Sequence, residues 1–293
     1  MKHRLIITFA ASFFFCTVLS AQGSSSALPF TRIDVGPVLT GTAGAAVTAD
    51  AGAWSAFRGA ASGAFMEDTA TLGAGYRYYG GDSRMSAAFG YSLMDNAAVF
   101  GGVSYIAGPK VGDYRTNDML LGAGFGYGLS ERLSVGVNVR FARQALTKDV
   151  AYSAASVDVS FADKLSDNLT LAGGVSTIGG KVKSAAGDSY SQPANVYAGA
   201  GYMMEAGSDA TLNIDASAEY YFQGSYAASA GLRYSYGDFL NLRAGYRFAS
   251  ESCVVPSHLA FGAGAVSSGM AVDLSCMLFP SATVIAVGVG YAF

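Results

Sequence analysis

The last twelve residues, 282–293, read ATVIAVGVGYAF, and they constrain the fold more than any other stretch. In an extended chain successive side chains point to opposite faces. Thr283, Ile285, Val287, Val289, Tyr291 and Phe293 therefore share one face, and Ala282, Val284, Ala286, Gly288, Gly290 and Ala292 share the other. The first face is bulky and apolar, the second small. An antiparallel strand of a water-soluble sandwich would carry polar residues on its outer face. A strand with hydrocarbon outside and a crowded lumen inside has the pattern seen here.

Composition points the same way. Hydrophobic residues make up 51% of the chain and charged residues 13%, about half the usual charged share. Beyond the N-terminal segment no apolar run reaches the length of a membrane-spanning helix. A hydrophobic chain without such a helix crosses a membrane as a closed barrel, because open sheet edges cannot face lipid. The net charge of −3 and the lack of a basic stretch argue against a nucleic-acid partner. At the N-terminus, Lys2, His3 and Arg4 precede an apolar run over 5–19, and Ser20 and Ala21 supply small residues for cleavage. This reads as a secretory signal cut after Ala21. Cys16 follows Phe15 rather than a small residue, so no lipid anchor is expected. Cys253, in a loop, and Cys276, on an outward face, do not call for a disulfide.

The expected organisation is a signal over 1–21, a luminal segment over 22–67 and a barrel over 68–293. The middle segment is rich in Ala, Gly and Thr and holds the only Trp, Trp54. A flexible leader would carry more charge, so the segment should pack, with the lumen as its place and Asp50, Trp54, Phe57 and Arg58 as its anchoring residues. From residue 69 onward, strands are predicted over 69–79, 84–93, 97–107, 117–129, 132–143, 150–164, 168–179, 193–204, 210–222, 225–236, 239–249, 257–267, 270–279 and 282–293. That makes an all-β, antiparallel, up-and-down transmembrane barrel of about fourteen strands, an even number as single-chain bacterial barrels have. Tight turns (130–131, 165–167, 237–238) alternate with longer connections (108–116, 144–149, 180–192, 250–256). With both barrel termini periplasmic, the longer ones face outside.

Period-two alternation also assigns charges to the inner face: Arg140, Asp158, Asp215, Glu219, Arg233, Arg243, Arg247 and Asp273. Asp215, Glu219, Arg233, Arg243 and Arg247 fall on three consecutive strands, where a cross-strand ladder can form. Such a network either fills and stiffens the lumen, or orients a ligand and holds the luminal segment through Arg–carboxylate pairs. Outward tyrosines near strand ends, among them Tyr76, Tyr91, Tyr202 and Tyr291, suit the interfacial girdles.

Catalysis finds little support. His258 is the only histidine outside the signal; it stands beside Ser257 with no orienting partner, and an interfacial histidine is the competing reading. No metal-ligand spacing occurs. The runs 122–126 and 262–264 are glycine-rich but lie inside strands with no following helix, so they are not nucleotide loops. No enzyme activity, metal or cofactor is expected.

Gly288, Tyr291 and the terminal Phe293 resemble the β-signal read by the outer-membrane assembly machinery, with Ala286 where that signal carries a polar residue. The runs 157–160 and 168–180, the stretch 193–215, the hexapeptide 242–247 and the segment 258–273 resemble, in order, the PorV/PorQ family of Bacteroidetes outer-membrane proteins. So does the small-residue opening over 41–60, although Phe57-Arg58-Gly59-Ala60 replaces the family's Trp-Asn-Pro-Ala. The resemblance implies a barrel similar to FadL fatty-acid channels with the N-terminal segment inside, in the outer membrane of a Gram-negative bacterium of the Bacteroidetes. It implies a non-enzymatic accessory of protein secretion or cell-surface export, some members of the family being similar to type IX secretion components, in contact with outer-membrane lipid, the assembly machinery and secretion-system or secreted proteins. The alternatives are a FadL-like channel for a hydrophobic ligand and a purely structural barrel.

Overall fold

A computed structural model describes residues 26–49, 52–79, 82–111, 113–183, 189–237 and 239–293. The signal over 1–21 and Asp50 lie outside the described residues.

Alternation of bulky and small residues produces the strands, and they close on themselves. They are β1 (Ala70–Tyr79), β2 (Asp82–Met94), β3 (Ala97–Val111), β4 (Tyr114–Gly128), β5 (Leu133–Ala145), β6 (Ala151–Lys164), β7 (Leu169–Gly179), β10 (Asn195–Glu205), β11 (Ala210–Tyr221), β12 (Tyr226–Tyr236), β13 (Leu240–Ala249), β14 (His258–Ser267), β15 (Met270–Phe279) and β16 (Ala282–Ala292). These fourteen form one closed antiparallel barrel, and β8 (Val182–Lys183) with β9 (Ser189–Tyr190) makes a small separate hairpin. Closure is by β1 against β16, with Gly73 opposite Gly290 and Gly75 opposite Gly288. Thr69 N–H donates to the Phe293 carbonyl (3.1 Å), so the last residue is tied into the seam.

Two stretches differ from the sequence reading. The connection expected over 108–116 is mostly strand, because β3 and β4 continue as a ribbon past a register shift between Ala107 and Lys110. A bulge there accommodates Pro109, which has no N–H to give the ladder. The connection over 180–192 contains the β8–β9 hairpin. At the opposite end the turns are tight; β14–β15 turns on Ser268 and Gly269, both at positive φ (51° and 78°), which suits a two-residue hairpin. The barrel thus has a turn end, where β1 starts and β16 finishes, and a loop end.

The outer wall is apolar. Ile285, Val287 and Val289 are 50%, 44% and 49% exposed, and Leu72, Phe89, Phe125, Leu232 and Phe261 stand out likewise. Such a surface is stable against hydrocarbon rather than water.

The N-terminal segment threads the lumen from end to end. Ala27 N–H donates to the Ser191 carbonyl at the loop end (2.9 Å). The helical turn Pro37–Gly41 packs on β13–β16, Gly52–Ala56 on β1–β4 and Ala60–Gly63 on β4–β6. Phe65 then lies under the Lys164 ammonium (4.3 Å) at the turn end. Backbone can approach the wall this closely because inward residues there are glycines. A Cβ at Gly126 would collide with the Ala60 carbonyl, at Gly136 with Ala61 N, and at Gly245 with Thr42. The barrel's main apolar core is the seam between segment and wall, built on Leu28, Phe30, Phe57, Phe100 and Leu120.

Candidate functional site: a charged seam and an apolar cavity

The inward charges meet the N-terminal segment. Glu219, on β11, accepts from Arg58 Nη2 (2.6 Å), Arg247 Nη2 (3.0 Å) and the Tyr221 hydroxyl (2.8 Å), and lies 3.5 Å from Arg32 Nη2. Arg32 and Arg58 belong to the segment, so one carboxylate joins it to two strands. Arg58 also donates to Asp34 (3.1 Å) and covers the Tyr197 ring at 4.7 Å. Burial works against the Arg58 charge, and the carboxylates of Glu219 and Asp34 offset it.

Arg140 donates to Asp158 (2.7 Å) and to the Thr177 hydroxyl (2.6 Å), and Asp158 accepts from Thr177 N–H (2.6 Å). This occurs where the β6–β7 register shifts past Asp158 and Thr177 takes a φ of 61°. The carboxylate therefore takes up a backbone donor that the shift frees from the ladder. Arg233 grips Asp215 with two bonds (2.7 and 3.1 Å).

The expected three-strand ladder takes a different form. Arg243 pairs not with a neighbouring strand but with Asp273 on β15 (2.5 Å), and Arg247 reaches Glu219 on β11 across β12. Small residues on the intervening strand explain both. Gly262 and Gly264 of β14 leave room for Arg243 to lie over them, and Ala227 and Ser229 of β12 do so for Arg247.

Trp54 packs flat on inward Gly73 and Gly75 and stacks with Phe57 at 6.4 Å. Asn138, Ser134 and Ser160 secure the 55–61 backbone, with Asn138 Nδ2 donating to the Ser55 carbonyl (2.7 Å) and Ser134 Oγ to that of Ala61 (2.7 Å). At the closing strand, Gly288 faces inward while Tyr291 and Phe293 pack edge-to-face at 4.5 Å on the outside.

Sequence reading missed Arg32, Asp34, Arg77 and Arg84. Arg77 had a signal: it stands between outward Tyr76 and Tyr78 and must point inward. Near the loop end lies a cavity of about 250 Å³. Ile33, Leu39, Ile106, Val255, Phe279 and Val284 supply apolar walls, and Arg77, Arg84 and His258 are polar borders. His258 is not interfacial. It is buried on the inner face, with Nδ1 2.9 Å from the Pro256 carbonyl and its ring 4.4 Å from Phe279. Ser257 takes no part with it, since its hydroxyl is bonded to the Ala249 backbone (2.9 and 3.3 Å). Adjacent strand residues point to opposite faces, which separates the two. Among the described residues no group of three His, Cys, Asp or Glu gathers as a metal site, and Cys253 and Cys276 are both free.

Fold and lumen together define a closed fourteen-stranded barrel occupied by its own N-terminal segment, with a pocket between segment and wall. No family model and no curated sequence matches the chain. Its backbone is similar to that of the toluene transporter TbuX of Ralstonia pickettii (TM-score 0.68, 11% identity, 90% of this chain and 100% of that one). It is similar also to the toluene transporter TodX of P. putida (TM-score 0.69, 13% identity, 88% and 98%). A Pseudomonas aeruginosa FadL homologue gives a TM-score of 0.57 at 10% identity over 94% and 100%. The likeness is one of fold: a FadL-like barrel.

Proposed function

We propose that this chain is an outer-membrane channel for hydrophobic small molecules and has no enzymatic role. The observation that carries this is the partly open apolar cavity at the loop end, lined from β1, β2, β3, β14, β15, β16, the 254–256 loop and the luminal segment. Apolar pockets with a few convergent polar groups are the usual form of a small-molecule site. The similar barrels include proteins described as toluene transporters, which supports the same reading. A secretion accessory of the PorV/PorQ kind, and with it a Bacteroidetes origin, rests on sequence resemblance alone. The apolar outer wall supports lipid as the partner of the barrel, and the terminal strand is the segment we assign to the assembly machinery.

The test is uptake of a radiolabelled alkylbenzene by cells expressing the full chain in their outer membrane. Uptake should exceed that of cells with empty vector. Val255→Trp, a loop change that fills the cavity without touching the wall, should return it toward background. Equal uptake with and without the protein would sink the channel reading.

A further inference from the structure

Outside the lumen, the cations among the described residues are distributed unevenly. At the turn end Arg132 and Lys164 stand among eight Asp and Glu. At the loop end the balance reverses, with Lys110, Arg115, Arg143, Lys148, Lys181 and Lys183 against Asp113, Asp149 and Glu251. All six of these cations are exposed, and none forms an ion pair with a described residue. They also gather on one side of the barrel, in or beside the β3–β4, β5–β6 and β7–β10 connections. The connections over 80–81, 222–225, 250–257 and 280–281 contain no Lys or Arg.

Three of the six stand over the outer wall. Val139, Phe141 and Arg143 share the outward face of β5, so the arginine ends an apolar row. In register it is level with Met119 of β4 and, through it, with Tyr105 of β3. Lys110 and Arg115 are partners across the β3–β4 ribbon, beyond the last β4–β5 pair, Asn117 with Ala145. Period two puts Arg115 on the outward face with Met119 and Leu121. Asp82, which lines the luminal cavity, is within electrostatic reach of Arg115 without an ion pair.

A cation on a lipid-facing wall is costly among acyl chains and tolerated at the interface. There its stem covers apolar surface while its head stays in the polar layer. A guanidinium fork at that depth matches a phosphate in shape and charge. Solvation by water would suit these cations anywhere around the rim. It gives no reason for their gathering over one stretch of apolar wall while the turn end is acidic.

We propose that this sector binds a phosphate-bearing lipid of the leaflet at the loop end. Its acyl chains lie along Val103, Leu121, Val139 and Phe141, and Arg143 and Arg115 hold the phosphate with the lysines around it. The inference rests on the outer wall being lipid-facing and not on what crosses the lumen.

The experiment titrates the full chain, delipidated in an uncharged detergent, and follows adducts by native mass spectrometry. The probes are bisphosphorylated lipid A, the same lipid A after phosphatase treatment, and inorganic phosphate as competitor. The phosphorylated lipid should bind on the order of tenfold more tightly than the treated one, and less so as salt is raised. Arg115→Gln combined with Arg143→Gln should remove that difference, whereas Arg132→Gln at the turn end should leave it. If the double variant does not fold, Lys110→Gln with Lys181→Gln serves, and the ratio for the unaltered chain alone already decides. Equal binding of the two lipids would overturn the phosphate assignment and leave the lipid-facing wall standing. Displacement of lipid A by inorganic phosphate at equal concentration would mean a site for free phosphate and overturn the lipid. Binding of neither lipid would overturn the inference and count against the lipid-facing wall, leaving the channel test to stand by itself.

Discussion

Glu219 shows how much one buried side chain can carry. Three arginines converge on its carboxylate, two from the luminal segment and one from β13. Each guanidinium is buried, so each depends on that charge rather than on solvent. Breaking a buried ion pair by removing one partner costs about 3–5 kcal/mol, because the other charge stays desolvated. Glu219→Gln keeps the shape and removes the charge, leaving Asp34 as the only carboxylate still on Arg58. The variant should lose its compact, fast-migrating form on gels at a clearly lower temperature than the parent. Arg243→Ala should cost less, since the Arg243–Asp273 pair has side chains 9% and 10% exposed and water can reach the orphaned acid. Equal melting of Glu219→Gln and the parent would show that the three arginines find other partners.

At the scale of elements, the strands were legible and the path of the segment inside them was not. Period-two alternation is a local signal, so β5, with Val135, Val137, Val139 and Phe141 outward, could be read directly. The ribbon past Ala107 could not, because a bulge carries pairing through a Gly-Pro step that resembles a turn. For 26–67 the low charge told that it packs. Its path follows from where inward glycines open the wall, and that depends on the register of strands far apart in sequence. Alternation likewise placed Arg243 and Arg247 inward, but their partners lie two strands away, over residues too small to obstruct them. The glycines give a direct test of this fit. Gly136→Val would drive a side chain into the Ala60–Ala61 backbone while its strand, β5, keeps both neighbours. The helical turn Ala60–Gly63 should be displaced and single-channel conductance in planar bilayers should rise, with the barrel still heat-modifiable. Unchanged conductance in a folded variant would mean that this turn does not obstruct the lumen.

For the whole molecule, the course of the chain has a topological consequence. β1 begins at the turn end, yet the first described residues, Ser26 and Ala27, sit at the loop end beside Gln144, Tyr152 and Tyr190. Between them the segment crosses the full height of the barrel, anchored by Arg58 on Glu219 and by Ser134 and Asn138 on its backbone. If the longer connections face the exterior, residue 26 is displayed outside the cell although the barrel's first strand starts on the periplasmic side. The check is cysteine labelling of intact cells in a Cys253→Ala, Cys276→Ala background. Ser26→Cys should react with a membrane-impermeant maleimide, whereas Ser208→Cys, in the β10–β11 turn at the other end, should react only after the outer membrane is permeabilised. The reverse pattern would mean the barrel stands inverted. Labelling of neither before permeabilisation would mean the segment does not reach the surface, and the seam around Glu219 would then have to close from the periplasmic side.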